Sequence, residues 1–150
     1  MAPTSPVDTA QLMELLSVAL GAYYGDFTAA AASENLTASQ GKTLTVLRRG
    51  PVAMRALADR MACDASNVTG IINRLEKRDL VRRETSATDR RVTTLVITPE
   101  GERVAEAIRA KMRTTQDGLD RLGEQDRERL YDLLDRVFAN SACRSSTNPE

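Results

Sequence analysis

Apolar positions recur along this chain at the helical period in most places and at period two in one. Leu12, Leu15, Leu16, Ala19, Leu20 and Tyr23 follow the i, i+3, i+4, i+7 rule and predict a helix over 8–32 with a wide apolar stripe. Leu36-Thr37-Ala38-Ser39-Gln40 is a capping box: the Thr37 hydroxyl accepts from a backbone N–H of the next turn, and the Gln40 side chain reaches back to the cap. The short helix it opens runs to Leu47 and stops at Arg49-Gly50-Pro51. A third short helix, Ala53 to Met61, turns Leu57, Ala58 and Met61 inward. Ala53 is a poor cap for it.

After a tight turn at Ala62-Cys63-Asp64 comes ASNVTGIINRLEKR. Its stripe, Val68, Ile71, Ile72 and Leu75, is narrow. The opposite side carries Ser66, Gly70, Asn73 and Lys77, flanked by Asn67, Thr69 and Arg74. Asp79 stands where this helix ends, and Asp tolerates the left-handed conformation that Gly usually supplies there. The period then changes. Val81 to Thr85 and Arg91 to Ile97 are β-prone and read as a hairpin joined by Ser86-Ala87-Thr88-Asp89-Arg90. Thr98-Pro99-Glu100 opens another helix, with Thr98 as N-cap and proline in the first position. Val104, Ile108 and Met112 keep a spacing of four, which carries this helix past Gln116. Beyond Gly123, Leu130, Leu133, Leu134, Val137 and Phe138 mark a last helix. Residues 1–7 and 141–150 read as loose ends.

The fold class expected is mostly α with a small β-hairpin wing. One domain fills the 150 residues: a winged helix-turn-helix lobe over 36–98, flanked by helices over 8–32 and 99–140. The lobe has its own small core. The stripes of the flanking helices need something else to cover them, and a second copy of the chain is the expected cover.

Composition narrows the classes. Hydrophobic residues make up 41% and charged residues 28%, so a packed core forms. No apolar run reaches the roughly eighteen residues of a membrane span, and MAPTSPVDTAQ has no secretory pattern, so a cytoplasmic protein with no membrane partner is expected. Two cysteines, Cys63 and Cys143, make no disulfide framework. With no His, no clustered Cys, no nucleophile elbow and no phosphate-binding Gly loop, neither a metal site nor a cofactor is expected, and the chain is not read as an enzyme. Net charge is zero, but residues 48–91 hold eleven Lys/Arg against six Asp/Glu. That local excess lies on the helix-turn-helix and the hairpin.

A helix with a polar outward face fits the major groove of double-stranded DNA. Asn67 and Asn73 can bond adenine bidentately, and Ser66 and Thr69 are adaptable donors or acceptors. Arg55, Lys77, Arg82, Arg83 and Arg91 are placed for phosphates. At the hairpin tip an arginine is drawn to the negative minor groove, and Asp89 can brace one guanidinium of the Arg90–Arg91 pair while the other reaches out. Arg74 has two readings of equal weight: a DNA contact, or an ion pair with Glu76 or Asp79. Lys77 and Arg78 also complement the dipole of their own helix.

LTASQ (36–40), LADRM (57–61), NVTGIINRLEKRDLVRR (67–83), DRR (89–91) and ITPEG (97–101) stand in the order and spacing of the MarR family of bacterial transcriptional regulators, which this sequence resembles. The resemblance implies a homodimer with interleaved terminal helices. It also implies one winged lobe per half of a palindromic operator, and repression relieved by a small aromatic or anionic ligand. It places a ligand site near Tyr23, Tyr24, Gly41 and Arg48. The sequence departs from the family pattern at Gly41, where a bulky residue is usual and space beside the first helix is expected. It departs again at Ala62 and Asp79, which replace turn glycines, and at Ala65 and Gly70, where many relatives carry arginines. Direct readout therefore shifts onto Ser66, Asn67, Thr69, Asn73 and the wing. The alternative function is an architectural or anti-repressor DNA-binding protein with no ligand response.

Overall fold

The computed structural model describes residues 7–61, 65–85 and 93–144. In chain order its elements are α1 (Thr9–Ser33), α2 (Ala38–Leu47), β1 (Val52–Ala53), α3 (Met54–Met61), α4 (Ala65–Glu76), β2 (Val81–Thr85), β3 (Thr93–Ile97), α5 (Pro99–Lys111), α6 (Arg113–Asp120) and α7 (Glu124–Arg144). The expected fold class holds: a mostly helical chain with one small antiparallel sheet.

Local chemistry sets the boundaries. Asp8 caps α1 by accepting from the Gln11 N–H at 2.8 Å, while the Asp8 N–H donates to Gln11 Oε1 at 3.0 Å. The Thr37–Gln40 box opens α2 in the same way, at 3.2 and 2.8 Å. Both α1 and α4 end in a left-handed residue, Asn35 at φ 57° and Asp79 at φ 56°. In each case the next N–H reaches back five residues, Leu36 to Ala31 O and Leu80 to Leu75 O, both at 3.0 Å. Asp79 thus does what its position in the sequence suggests.

The sheet runs β1-β3-β2. Val81 pairs with Ile97 and Thr85 with Thr93 in the hairpin, and Val52 pairs with Leu95 on the other edge. The strand β1 was not expected: Val52 and Ala53 are strand, and α3 starts at Met54, one residue later than the sequence reading. A strand of two residues is too short to show a period.

The core sits where α2, α3 and α4 meet the sheet and α5. Leu44, Leu47, Leu57, Val68, Ile72, Leu75, Leu80, Leu95, Val104 and Ile108 are all buried. The α4 stripe is buried as expected. Each of its large side chains contributes roughly 1.5–3 kcal/mol relative to exposure. α1 joins this core only through its last turns, where Phe27, Ala30 and Ala31 are buried.

A second correction concerns the helix after Pro99. It breaks at Met112, whose backbone (φ −77°, ψ 57°) leaves the helical region, and α6 starts anew. Met112 offers no side-chain cap. The Asp26 carboxylate of α1 takes that role, accepting from the Thr115 N–H at 3.0 Å. An anion from a distant segment thereby satisfies an orphan donor at the positive end of α6. At the chain end, α7 runs to Arg144, beyond the expected limit at 140.

The start of α5 crosses the α4–β2 turn at van der Waals distance. A Cβ on Gly101 would lie 2.1 Å from the Leu80 carbonyl oxygen and 2.8 Å from Ile97 Cγ1. The Thr98 hydroxyl donates to Asp79 O at 2.6 Å and accepts from the Gly101 N–H at 3.0 Å. Gly101→Ala is expected to lower stability by about 3 kcal/mol, because backbone cannot yield as a side chain does. Gly118→Ala, in open space within α6, is expected to be neutral or stabilising by up to about 1 kcal/mol. Thermal unfolding of both variants at one fixed protein concentration tests the contrast. Equal melting temperatures would contradict it.

Candidate nucleic-acid interface

α4 is held by one face and free on the other. Val68, Ile71, Ile72 and Leu75 face Leu57, Ala58 and Met61 of α3 and the rest of the core. Ser66, Asn67, Thr69, Asn73 and Arg74 are exposed, as is Lys77 just past the helix end, and Gly70 is half-buried among them. Arg55 of α3 is exposed as well. The α3 and α4 residues singled out from the sequence are thus exposed, on two helices that pack against each other. Arg55, Arg74 and Lys77 make no ion pair among the described residues, and Arg74 does not pair with Glu76, which holds Arg83 instead. Unpaired exposed cations are available to phosphate oxygens without breaking an internal contact.

Three other cations of the segment, Arg78, Arg82 and Arg83, are engaged within the protein. Arg83 of β2 forms an ion pair with Glu76 through Nη1, its N–H donates to Glu76 Oε1 at 3.2 Å, and its Nη2 donates to Asn73 Oδ1 at 2.8 Å. It turns back onto α4 and ties the hairpin to the outward face. Arg78 also has a role that sequence reasoning missed. Its guanidinium donates to the backbone oxygens of Asn35 (2.8 Å) and Glu34 (3.1 Å), at the negative end of α1 rather than of its own helix. Lys111 of α5 meets the same end, on Ser33 Oγ at 3.0 Å and Glu34 Oε1 at 2.6 Å. No local signal finds a partner more than forty residues away. Arg82 pairs with Glu84 at 2.7 Å. Asp89, Arg90 and Arg91 lie outside the described residues, as does the turn 62–64; β2 and β3 lead into and out of the segment that holds the three.

Of the four residues of the expected ligand site, Tyr23 and Gly41 share Phe27 as a neighbour, and Arg48 is held in ion pairs with α5. Gly41 is buried in the seam of α1, α2 and α5, and the space beside it is filled: an added Cβ would meet Phe27 Cζ at 3.1 Å and Ala31 Cβ at 3.2 Å. Tyr23 stacks on Phe27 with ring centroids 6.4 Å apart, yet stays half exposed, and Tyr24 is more exposed still. Arg48, at the end of α2, bridges Glu102 (3.2 Å) and Glu106 (2.9 Å) of α5. Hydrogen bonds from Arg109 and then Arg48 hold the Glu106 carboxyl below the usual carboxylate range. An arginine so engaged presents little free positive charge to an anion.

Large apolar side chains cluster at the two ends of the chain. Leu12, Met13, Leu15, Val18 and Leu20 of α1 and Tyr131, Leu133, Val137 and Phe138 of α7 are exposed. From Glu124 to Phe138 no residue of α7 is buried. No helix among the described residues is long and apolar enough to cross a membrane, and no described cluster of His, Cys, Asp and Glu could hold a metal.

The geometry has counterparts among known proteins. A family model described as the MarR family matches residues 36–93. The chain is 35% identical over 114 residues to the protein named as a transcriptional regulatory protein for the hcr operon of Thauera aromatica, covering 71% of this chain and 69% of that one. It is 32% identical over 102 residues to the HTH-type transcriptional regulator FarR of Neisseria gonorrhoeae, covering 67% and 70%. Among solved structures, NadR in complex with 4-hydroxyphenylacetate superposes with a TM-score of 0.70 at 28% identity, over 91% of this chain and 97% of that one. BldR of Sulfolobus solfataricus superposes with a TM-score of 0.69 at 25% identity, over 87% and 94%. At this identity and coverage the chain belongs to the MarR family of transcriptional regulators.

Proposed function

We propose that this regulator is a homodimer that binds a palindromic operator, represses transcription in the cytoplasm, and is released by a small aromatic or anionic ligand. The observation that carries the DNA part is the outward face of α4: Ser66, Asn67, Thr69, Asn73, Arg74 and Lys77 stand exposed above a fully buried apolar stripe. A helix so held can enter the major groove, with Arg55 reaching phosphates and the Arg90–Arg91 pair, one guanidinium braced by Asp89, reaching the adjacent minor groove. The dimer is supported by the apolar faces of α1 and α7, which leave more large apolar surface in water than a soluble monomer ordinarily tolerates. Ligand release is supported by NadR, a similar protein solved with an aromatic carboxylate. In a dimer, Tyr23 and Tyr24 would approach the partner's surface, and a pocket reaching Gly41 and Arg48 would be completed there.

The second reading, a DNA-binding protein without ligand response, is favoured by the packing of Phe27 beside Gly41 and by the Arg48 ion pairs. A thermal-shift screen of aromatic carboxylic acids separates the two. A compound that both raises the melting temperature and lowers operator affinity supports ligand release; a screen in which none does supports the second reading.

Sedimentation of the purified protein is expected to give a dimer, and Leu133→Asp with Val137→Asp a monomer that no longer shifts operator DNA. A wild-type monomer at micromolar concentration would contradict the assembly. Footprinting of the DNA beside its own gene is expected to show two protected half-sites centred about 10–10.5 bp apart. Arg90→Ala is expected to weaken operator binding roughly tenfold in a mobility shift, and unchanged affinity would remove the wing from the interface.

A further inference from the structure

We infer that Asn73 reads its base as a hydrogen-bond donor, through Nδ2, and that Arg83 and Glu76 are the positioning residues that impose this orientation. The inference rests on the DNA-binding reading above and assigns the chemistry of one contact within it. Arg83 Nη2 lies 2.8 Å from the Asn73 amide. A guanidinium has donors and no acceptor, so the amide atom facing it is the oxygen. Arg83 cannot readily move away, because Glu76 holds it twice, through the Nη1 ion pair and through the 3.2 Å bond from the Arg83 backbone N–H. Glu76 lies one turn beyond Asn73 on the same helix, so helix and hairpin fix the contact together.

The two ends of a planar amide diverge. With Oδ1 turned to the hairpin root, Nδ2 points away from it, on the exposed face of α4 and without a partner among the described residues. Reading adenine bidentately requires Oδ1 to accept from the base's amino group while Nδ2 donates to N7. Arg83 takes one of the two lone pairs of Oδ1, and turning the amide until both of its ends face one base edge would weaken that charge-assisted bond, which is stronger than a neutral one. A single donor aimed at an acceptor costs nothing of the kind. The contact favoured is therefore a purine N7, a guanine O6 or a thymine O4, and the bidentate adenine contact expected from the residue type is disfavoured.

The test uses the full-length protein. Operators are selected from a random duplex pool by the wild type and by Asn73→Ala, and one base pair per half-site is expected to lose its preference in the variant. At that pair the acceptor atoms and the exocyclic amino group are removed in turn with base analogues. Loss of one acceptor is expected to weaken wild-type binding roughly fivefold to tenfold and to leave Asn73→Ala unaffected. Loss of the amino group is expected to affect both proteins equally. Arg83→Met, which frees the amide, is expected to broaden preference at that pair alone. Coupling of Asn73 to an amino group would overturn the inference. So would the absence of any pair that responds to Asn73→Ala, or an Arg83→Met with unchanged preference there. A pool in which wild type enriches no sequence would instead overturn the DNA-binding reading itself.

Discussion

The structure depends on one crossing of backbone over backbone. The end of α4, the start of β2 and the first turn of α5 meet where Gly101 lies against the Leu80 carbonyl. The Thr98 side chain bonds both sides of the crossing, and the Thr98 N–H donates to the Leu80 oxygen at 3.1 Å. Asp79, in a left-handed conformation, makes the reversal that brings them together. Every element of the proposed DNA interface is referenced to this point. α4 ends into it, the hairpin leaves from it and returns to it, and α5 carries its position to the flanking helices.

From that crossing, charge divides the molecule's cations into two groups. Arg78, Arg48 and Lys111 are spent on internal contacts between segments distant in sequence, and Arg83 is spent on contacts from β2 back to the end of α4. Each such contact is partly exposed and individually weak, but together they hold helices at defined positions rather than adding much stability. Arg55 of α3, Arg74 of α4 and Lys77 just past its end remain outside these networks and exposed to solvent. A chain of zero net charge can therefore offer a positive surface in one place, because the acidic excess lies outside residues 48–91: four Asp/Glu against one Lys over 1–47, and eleven against nine Lys/Arg over 92–150.

Much of this was legible in the sequence where the physics is local. The Thr37–Gln40 box, the left-handed Asp79 and the Thr98-Pro99 start depend on neighbours a turn away, and each appears as read. The buried stripe of α4 follows from its period. What escaped reading depends on distant partners. The break at Met112 interrupts a regular spacing of four and is stabilised by Asp26 from α1. β1 exists only because β3 offers it an edge. Arg83 looked like a phosphate ligand by charge and position, and its ion pair with Glu76 is set by how the hairpin folds back on the helix. Gly41 suggested empty space, which Phe27 occupies.

The central claim is that the exposed face of α4 and its neighbouring cations form an electrostatic surface for duplex DNA, presented twice by a dimer. The most direct measurement is the affinity of the protein for a DNA duplex across a range of salt concentration, with stoichiometry determined at each point. The account predicts two chains per site and an affinity that falls linearly with salt on a logarithmic scale, with a shallower slope when Arg74 and Lys77 are both replaced by alanine. A single chain per site, or binding indifferent to ionic strength, would contradict it.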